Sequence, residues 1–152
     1  MIGTEAMRQE SVEYLKTSMD MAKEMGADFT LISAGHSGYG TTYKEMWDRL
    51  VKTVRELADH AEKIQHKLIM ETLTTYESNV IKNANDLQEL FRWVDSPYLV
   101  GMCDIVAPFT QSESIMDYFD KLGDKMYHMH IIDGVSDSDS HVMPGEGQIP
   151  LQ

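Results

Sequence analysis

The sequence predicts an α/β fold of four consecutive βα units, half the number in a (β/α)8 TIM barrel. Four short apolar stretches, at 28–33, 67–71, 99–104 and 126–132, alternate with segments of helical periodicity. Successive stretches begin roughly 30 to 40 residues apart, the pitch of βα units, and they are apolar as buried parallel strands are. Three of them also end in residues that can bind a metal ion. We therefore expect residues 1–152 to form one partial barrel domain, without the N-terminal strands and the last βα unit of a full barrel.

A helix with no strand before it opens the first unit. Helical spacing over residues 5–25 places four apolar side chains on one face: Val12, Leu15, Met19 and Ala22. Gly26 can take the left-handed conformation in which many helices end, and the strand at 28–33 follows it. A glycine-rich loop at 34–40 comes next and carries His36.

The second helix is predicted to begin at a capping box, in which Thr42 and Glu45 each satisfy a backbone N–H of the other. Its apolar stripe is long and comprises Trp47, Leu50, Val51, Val54, Leu57, Ala61 and Ile64. The strand at 67–71 follows and ends in Glu71. A polar loop, 72–83, separates this strand from the third helix.

The third helix is expected from Asn85 and Gln88, which resemble a helix N-terminal cap. Its stripe is short and comprises Leu87, Leu90, Phe91 and Val94. Pro97 marks the turn into the strand at 99–104, because proline does not continue a helix. This strand ends in Asp104.

The fourth helix is predicted from Thr110 and Glu113, which match another capping box. Four apolar side chains of this helix are expected to face the core: Ile115, Tyr118, Phe119 and Leu122. Gly123 ends the helix. The last apolar stretch, 126–132, then carries His130 near its end.

Charge and composition exclude several classes of partner. The chain has 25 acidic and 13 basic residues and a formal net charge of −12, whereas nucleic-acid binding needs basic surface to replace phosphate counterions. No apolar run is long enough to span a bilayer, and the N-terminus lacks the pattern of a signal peptide. The single cysteine, Cys103, excludes an internal disulfide framework. We therefore expect a cytoplasmic protein that binds neither nucleic acid nor membrane.

Glu71, Asp104 and His130 are the candidate metal ligands. The carboxyl ends of parallel strands meet at one rim of a sheet, where βα enzymes keep their chemistry. Side chains alternate across a strand, so each candidate shares a face with residues two or four positions away. Glu71 shares a face with Ile69, Asp104 with Val100 and Met102, and His130 with Met126, His128 and Ile132. Two carboxylates and an imidazole suit Mn²⁺, Mg²⁺, Co²⁺ or Zn²⁺. Such a cation would offset the cost of burying the carboxylates together.

Each of these residues also has a plainer interpretation. A strand-terminal Glu71 or Asp104 can cap a helix or lie in solvent, and His130 can be a hydrogen-bonded core histidine. Their occurrence together at matching strand ends favours the metal site. His128 is interpreted as structural. Cys103 lies on the opposite face from Asp104, so we expect it to be buried against the helices and inert.

Two loops are candidates to complete this rim. His36 either lines its mouth or is an ordinary loop histidine. The segment Pro144-Gly145-Glu146-Gly147 places glycines on both sides of an exposed residue. Such a pattern suggests backbone packed closely against a ligand or a neighbouring loop.

Several segments together resemble the xylose-isomerase-like TIM barrels, and within them the sugar 3-epimerases. They are Glu71 to Asn79, Cys103 to Pro108, His128 to His130, His141 to Gly147 and the opening Gly3 to Ser11. The resemblance implies a divalent metal held by Glu, Asp, His and Glu, of which Glu71, Asp104 and His130 match the first three. The fourth belongs to the eighth strand, beyond this chain. The two glutamates would act on opposite faces of the sugar C3, through an ene-diolate.

The resemblance also implies substrate-binding residues. Glu77 matches a substrate-binding glutamate of ketohexose epimerases, and His141 stands where those enzymes have a substrate-binding arginine. Ala107 stands where they have a histidine. These two departures disfavour a free ketohexose and fit an amine-linked fructosamine such as fructoselysine. Because the partner of Glu71 is absent, we expect the chain alone to have little activity.

Other functions stay open at this point. A sugar isomerase or inosose dehydratase of the same family would have a similar metal set. The chain could also be a non-catalytic half barrel, and we expect its open strand edges and apolar inner face to make it a homo-oligomer. An abasic-site endonuclease shares the fold but is opposed by the charge of −12.

Overall fold

A parallel sheet of four strands, covered by helices, is the framework of the computed structural model, which describes residues 2–151. The strands are β1 (Phe29–Ser33), β2 (Lys67–Glu71), β3 (Leu99–Asp104) and β4 (Met126–His130). They pair in the order of the chain, β1-β2-β3-β4, as neighbouring strands of a barrel wall do. The predicted α/β fold of four consecutive units is therefore confirmed.

Five helices connect and cover these strands within the described part of the chain. They are α1 (Glu5–Glu24), α2 (Tyr43–Ile64), α3 (Ala84–Trp93), α4 (Val106–Thr110) and α5 (Met116–Leu122), and a short 3₁₀ turn, Gly123–Lys125, follows α5. A small antiparallel hairpin of β5 (Asp133–Gly134) and β6 (His141–Val142) comes after β4. Between residues 2 and 151, none of the helices has the length and hydropathy that crossing a bilayer requires.

The ends of the first two helices follow the sequence pattern. Gly26 has φ +81°, and its N–H bonds to Lys23 O, so α1 ends as predicted. At the start of α2, Thr42 Oγ1 accepts from Glu45 N–H at 3.3 Å, while the Glu45 carboxylate accepts from Thr42 N–H at 3.0 Å. The predicted capping box is thus confirmed.

The N-terminus of α3 lies two residues earlier than predicted. Asn83 has an extended backbone, and its side-chain oxygen accepts from Asp86 N–H at 3.0 Å. The proposed cap at Asn85 is wrong, because Asn85 already lies inside the first turn. The predicted apolar stripe is correct, and all four of its residues are buried.

The proposed capping box at Thr110 is also wrong. Thr110 is the last residue of α4, a helix that the sequence pattern did not predict, and its hydroxyl donates to Ala107 O at 3.1 Å. The following helix begins only at Met116, whose N–H bonds to Ser114 Oγ. The helix α5 has just seven residues, and two of them, Tyr118 and Leu122, are buried. Phe119 is exposed, so the prediction that it faces the core is wrong.

Side chains of the sheet pack on both of its faces. Toward the helices, the main core includes Leu68, Met70, Leu99 and Cys103. On the inner face, a second cluster of Ile69, Val100 and Met102 packs with Phe29 and Leu31. The three central residues of this cluster are at most 4% exposed. The expectation of an exposed apolar inner face is therefore wrong. Phe29 of β1 and His128 of β4 meet at this face, with their ring centres 5.0 Å apart.

Two residues of the predicted stretch 126–132 depart from the expected alternation. Met126 and Ile132 pack against the helix-side core rather than beside His130. The ladder between β3 and β4 shifts register near Gly101 and Met102, and β4 ends at His130. The alternation therefore holds from His128 to His130, where Met129 packs against the main core and the two histidine rings lie together on the inner face.

Candidate metal centre

Glu71, Asp104 and His130 converge at one rim of the sheet, as their strand-end positions predict. Glu71 ends β2, and Asp104 and His130 are directly paired at the ends of β3 and β4. The Nδ1 atom of His130 lies 3.1 Å from Glu71 Oε1 and 3.4 Å from Asp104 Oδ2. One ligand atom from each residue can be chosen so that all lie within 4.8 Å of one another.

These distances fit a divalent cation. Two ligands each about 2.1 Å from an ion, at tetrahedral or octahedral angles, would lie about 3.0 to 3.4 Å apart. The two separations from His130 Nδ1 fall in that range. Two carboxylate oxygens and one imidazole nitrogen are also a donor set that Mn²⁺, Co²⁺ and Zn²⁺ accept. The residues present therefore fit the metal that the sequence predicts.

Asp104 is oriented by the backbone that follows it. Its Oδ1 atom accepts from Val106 N–H at 2.9 Å, which leaves Oδ2 directed at the rim. This second oxygen lies 3.4 Å from His130 Nδ1 and 3.4 Å from His141 Nε2. Because the side chain is only 10% exposed, its free oxygen is held in position instead of turning to solvent.

Glu71 lies where its negative charge is disfavoured. Burial raises the pKa of Glu71, and the nearby Asp104 and Glu77 carboxylates raise it further, whereas His130 acts in the opposite direction. The result is a pKa above the ordinary value of a glutamate. A raised carboxyl pKa of this origin is typical of groups that hold a cation or exchange a proton.

A cavity of about 280 Å³ opens beside the three residues. Nine of the described residues line it: Glu71, Thr72, Leu73, Thr74, Glu77, Asp104, Ala107, His130 and His141. Glu77 is fixed from the loop after β2, since its Oε2 atom accepts from Thr74 N–H and from Thr74 Oγ1. His141 enters from β6, and its Nδ1 atom lies 2.8 Å from Asp139 O. Glu77 and His141 are thus in position to meet a ligand in the cavity.

Two other histidines lie apart from this cavity. His36 is exposed in its loop, where its Nδ1 atom accepts from Gly38 N–H at 2.9 Å, and it is not one of the nine lining residues. His128 lies deeper on the inner face, with its ring centre 5.0 Å from that of Phe29 and 5.4 Å from that of His130. This position agrees with the structural role expected for His128.

Asp133 is a buried polar residue that sequence reasoning missed. It is 1% exposed, and four backbone N–H groups donate to its carboxylate. Burial by itself raises the pKa of Asp133, but these four hydrogen bonds outweigh it and lower the pKa to about 2. The only signal in the sequence was indirect, since two of the donors are Gly145 and Gly147 of the motif singled out above.

The family model for the xylose isomerase-like TIM barrel matches residues 3–152 of the chain. Among curated proteins, a fructoselysine 3-epimerase from Escherichia coli O157:H7 is 53% identical over 152 residues, which are 100% of this chain and 55% of that protein. The chain therefore spans about half the length of such curated relatives.

Solved structures of similar fold include sugar epimerases. A D-tagatose 3-epimerase-like protein superposes with a TM-score of 0.84 at 24% identity, over 97% of this chain and 57% of the other. The D-psicose 3-epimerase of Clostridium cellulolyticum H10, solved with D-tagatose, gives 0.78 at 23% identity, over 97% and 51%. At this level of identity the likeness concerns the fold.

Proposed function

Because the chain belongs to the xylose isomerase-like TIM barrel family, we propose that its protein is a metal-dependent sugar 3-epimerase acting on a fructosamine such as fructoselysine. The observation that carries the proposal is the convergence of Glu71, Asp104 and His130 beside a cavity of about 280 Å³. The substrate is suggested by the 53% identity with a fructoselysine 3-epimerase.

Glu71 is the residue of this chain proposed to move a proton. As a carboxylate it would take the C3 proton of the ketose, and the electron pair of the broken C–H bond would move toward the C2 carbonyl oxygen, giving an ene-diolate. A proton returned to the other face of C3 completes the inversion. A raised pKa suits this exchange, because a base works best when its pKa lies near the working pH.

A divalent cation held by Glu71, Asp104 and His130 would act as a Lewis acid on the substrate oxygens and stabilise negative charge that develops beside them. Asp104 keeps one oxygen on Val106 N–H and offers the other to the site. Glu77 and His141 line the cavity and would bind hydroxyl groups of the substrate, so that C3 faces Glu71.

Inversion at C3 needs a proton-transferring group on each face of the sugar. Glu71 serves one face. The chain matches only 55% of its curated relative, and we propose that the group for the other face lies outside these residues. Positioned acid–base catalysis contributes roughly 10²- to 10⁴-fold, so the 152 residues alone should epimerise at least about a hundredfold more slowly than a full barrel.

A chimeric enzyme tests this function. The part of the Escherichia coli relative that matches this chain would be replaced by the 152 residues, and fructoselysine would be followed by NMR in D₂O. We expect the chimera to exchange the C3 proton for deuterium and to form the C3 epimer. The Glu71→Gln chimera should lose at least about a hundredfold in rate.

Asp124→Asn is the matched control, since Asp124 lies in an exposed turn before β4, and it should keep the rate of the parent chimera. A folded chimera that exchanges no C3 proton of fructoselysine would refute the fructosamine assignment. Full activity of the Glu71→Gln chimera would refute the role of Glu71.

A further inference from the structure

We propose that Asp133 is a positioning residue that holds His141 at the cavity. Its carboxylate does not line the cavity, whereas His141 does. Asp133 is instead the centre of a set of backbone hydrogen bonds that fixes the hairpin and the loop after it. The importance of His141 for the substrate rests on the proposed function. The positioning itself does not, because it is a property of the fold.

The carboxylate of Asp133 accepts four backbone N–H groups from two segments of the chain. Oδ1 accepts from Gly134 at 2.8 Å and from Ile149 at 3.0 Å. Oδ2 accepts from Gly145 and Gly147, each at 2.9 Å. Charge-assisted bonds of this kind are stronger than neutral ones, so this one side chain ties the segment 145–149 to β5.

Both glycines of the Pro144–Gly147 motif are explained by this arrangement. Gly145 has φ +93°, a conformation that side-chain-bearing residues rarely adopt. At Gly147, an added Cβ atom would fall against Asp133 Oδ1 and the backbone oxygen of Gly134, at 2.3 and 2.5 Å. The close neighbour that the motif predicted is therefore Asp133, whose carboxylate accepts from the N–H groups of both glycines.

His141 depends on the same set of bonds. Gly134 in β5 pairs with His141 in β6, and the chain that leaves β6 returns to Asp133 within a few residues. Gly134 O also accepts from Gln148 N–H at 2.8 Å. A two-residue strand pair is weak by itself, so the Asp133 bonds are what keeps His141 Nε2 at 3.4 Å from Asp104 Oδ2.

The test measures how strongly His141 senses Asp104 in the 152-residue chain, without substrate or metal. The ¹⁵N chemical shifts of the His141 ring would be recorded with and without Asp104→Asn, first in the wild type and then with Asp133→Asn. We expect Asp104→Asn to move the His141 shifts in the wild type and to leave them unchanged in the Asp133→Asn background. Equal movement in both backgrounds would overturn the proposal.

Gly147→Ala provides a second way to disturb the same bonds, because the added methyl group crowds the Asp133 carboxylate. It should abolish the response of His141 as Asp133→Asn does. Asp137→Asn, at an exposed position of the same hairpin, is the control and should leave the response intact. Loss of the whole fold in both variants would also overturn the proposal, because Asp133 would then support the sheet and not His141 in particular.

The consequence for activity can be separated from this result. In the chimeric enzyme, Asp133→Asn should raise KM by about tenfold with a smaller effect on kcat, because a displaced binding group weakens substrate positioning. In a His141→Ala background, Asp133→Asn should add little. If the chemical-shift test succeeds and the chimera is inactive toward fructosamines, the proposed function fails and the positioning role stands.

Discussion

Burial disfavours the negative charge of the Glu71 carboxylate and raises the pKa of this group. The folded chain therefore holds the Glu71 proton more tightly than the unfolded chain does, and this stabilises the fold at pH values below the ordinary glutamate pKa. This contribution is lost as the pH rises through the higher pKa of the folded state. A cation bound beside the ionised carboxylate would reverse that trend.

The stabilising effect of Mn²⁺ on the chain should therefore depend on pH. At a concentration about five times Kd, the cation would add about 1 kcal/mol, which is about 3 °C in Tm for a chain of this size. We expect this increase at pH 7.5 and a smaller one at pH 5.0, measured by thermal unfolding followed by circular dichroism. Glu71→Gln should give little increase at either pH. An increase that is the same at both pH values in the wild type would contradict this interpretation.

Cys103 should be unreactive in the folded chain. Burial, together with the Asp104 charge beside it, raises the pKa of the Cys103 thiol to about 12, and the thiolate is the form that attacks thiol reagents. Labelling with a chromogenic disulfide at pH 8 should be slow in buffer and should rise with urea in parallel with unfolding. Rapid labelling of the native chain would show that the core around β3 is open.

Residue positions at the rim were predictable, whereas the role of Asp133 was not. Glu71, Asp104 and His130 end adjacent parallel strands, and such ends must meet at one rim. The partners of Asp133 are backbone N–H groups up to 16 residues away. Nearly every residue has such a group, so the amino-acid sequence does not indicate which of them bind Asp133. Only the spacing of Gly145 and Gly147 hinted at a close neighbour.

Among the elements, β3 packs closely against two helices at Gly101. An added Cβ atom at this position would lie 3.1 to 3.3 Å from the side chains of Phe91, Leu87 and Leu122. Two of these belong to α3 and one to α5. Glycine at this position lets both helices approach the strand closely.

Gly101→Ala should lower the free energy of unfolding by about 1 to 3 kcal/mol, because the methyl group overpacks the contact between β3 and the helices. The measurement is urea unfolding followed by circular dichroism. Gly40→Ala is the control, since an added Cβ atom there meets nothing within 4 Å, and it should change stability by less than about 0.5 kcal/mol. Equal effects of the two substitutions would refute this account of the packing.

The periodicity of apolar residues predicted where the helices and strands lie, but the capping patterns did not always predict where a helix begins. The long stripe and capping box of α2 determined that helix correctly. At α3, the sequence offers two asparagines, and only the extended backbone of Asn83 distinguishes the cap from Asn85. At Thr110, the capping-box pattern does not mark the start of a helix, because Thr110 is already the last residue of the short helix α4 that follows β3.

At the scale of the whole molecule, the chain offers apolar surface beside the edge of the sheet at β1. Beside this edge lies a groove between α1 and β1, lined among others by Met7, Tyr14 and Leu31. Met7 is 58% exposed and Tyr14 is 72% exposed. In a closed barrel, a further strand pairs with each edge, and closure removes such surface.

We expect two copies of the 152-residue chain to associate through this groove and the β1 edge, because an unpaired edge with apolar surface beside it favours pairing. Sedimentation equilibrium should give twice the mass of one chain. Tyr14→Lys should weaken this association by about tenfold, since it places a charge in the groove. Tyr39→Lys is the control, because Tyr39 is fully exposed in the loop after β1. A monomer at high concentration would contradict the prediction.

If Glu71, Asp104 and His130 form one divalent-cation site, an Mn²⁺ titration followed by electron paramagnetic resonance should show one saturable Mn²⁺ per wild-type chain. His130→Ala should weaken its affinity by at least about tenfold, and Asp120→Asn, on the exposed side of α5, should leave it unchanged. Titration curves that coincide for the wild type and His130→Ala, or the absence of saturable binding to the wild type, would show that these three residues do not form a cation site.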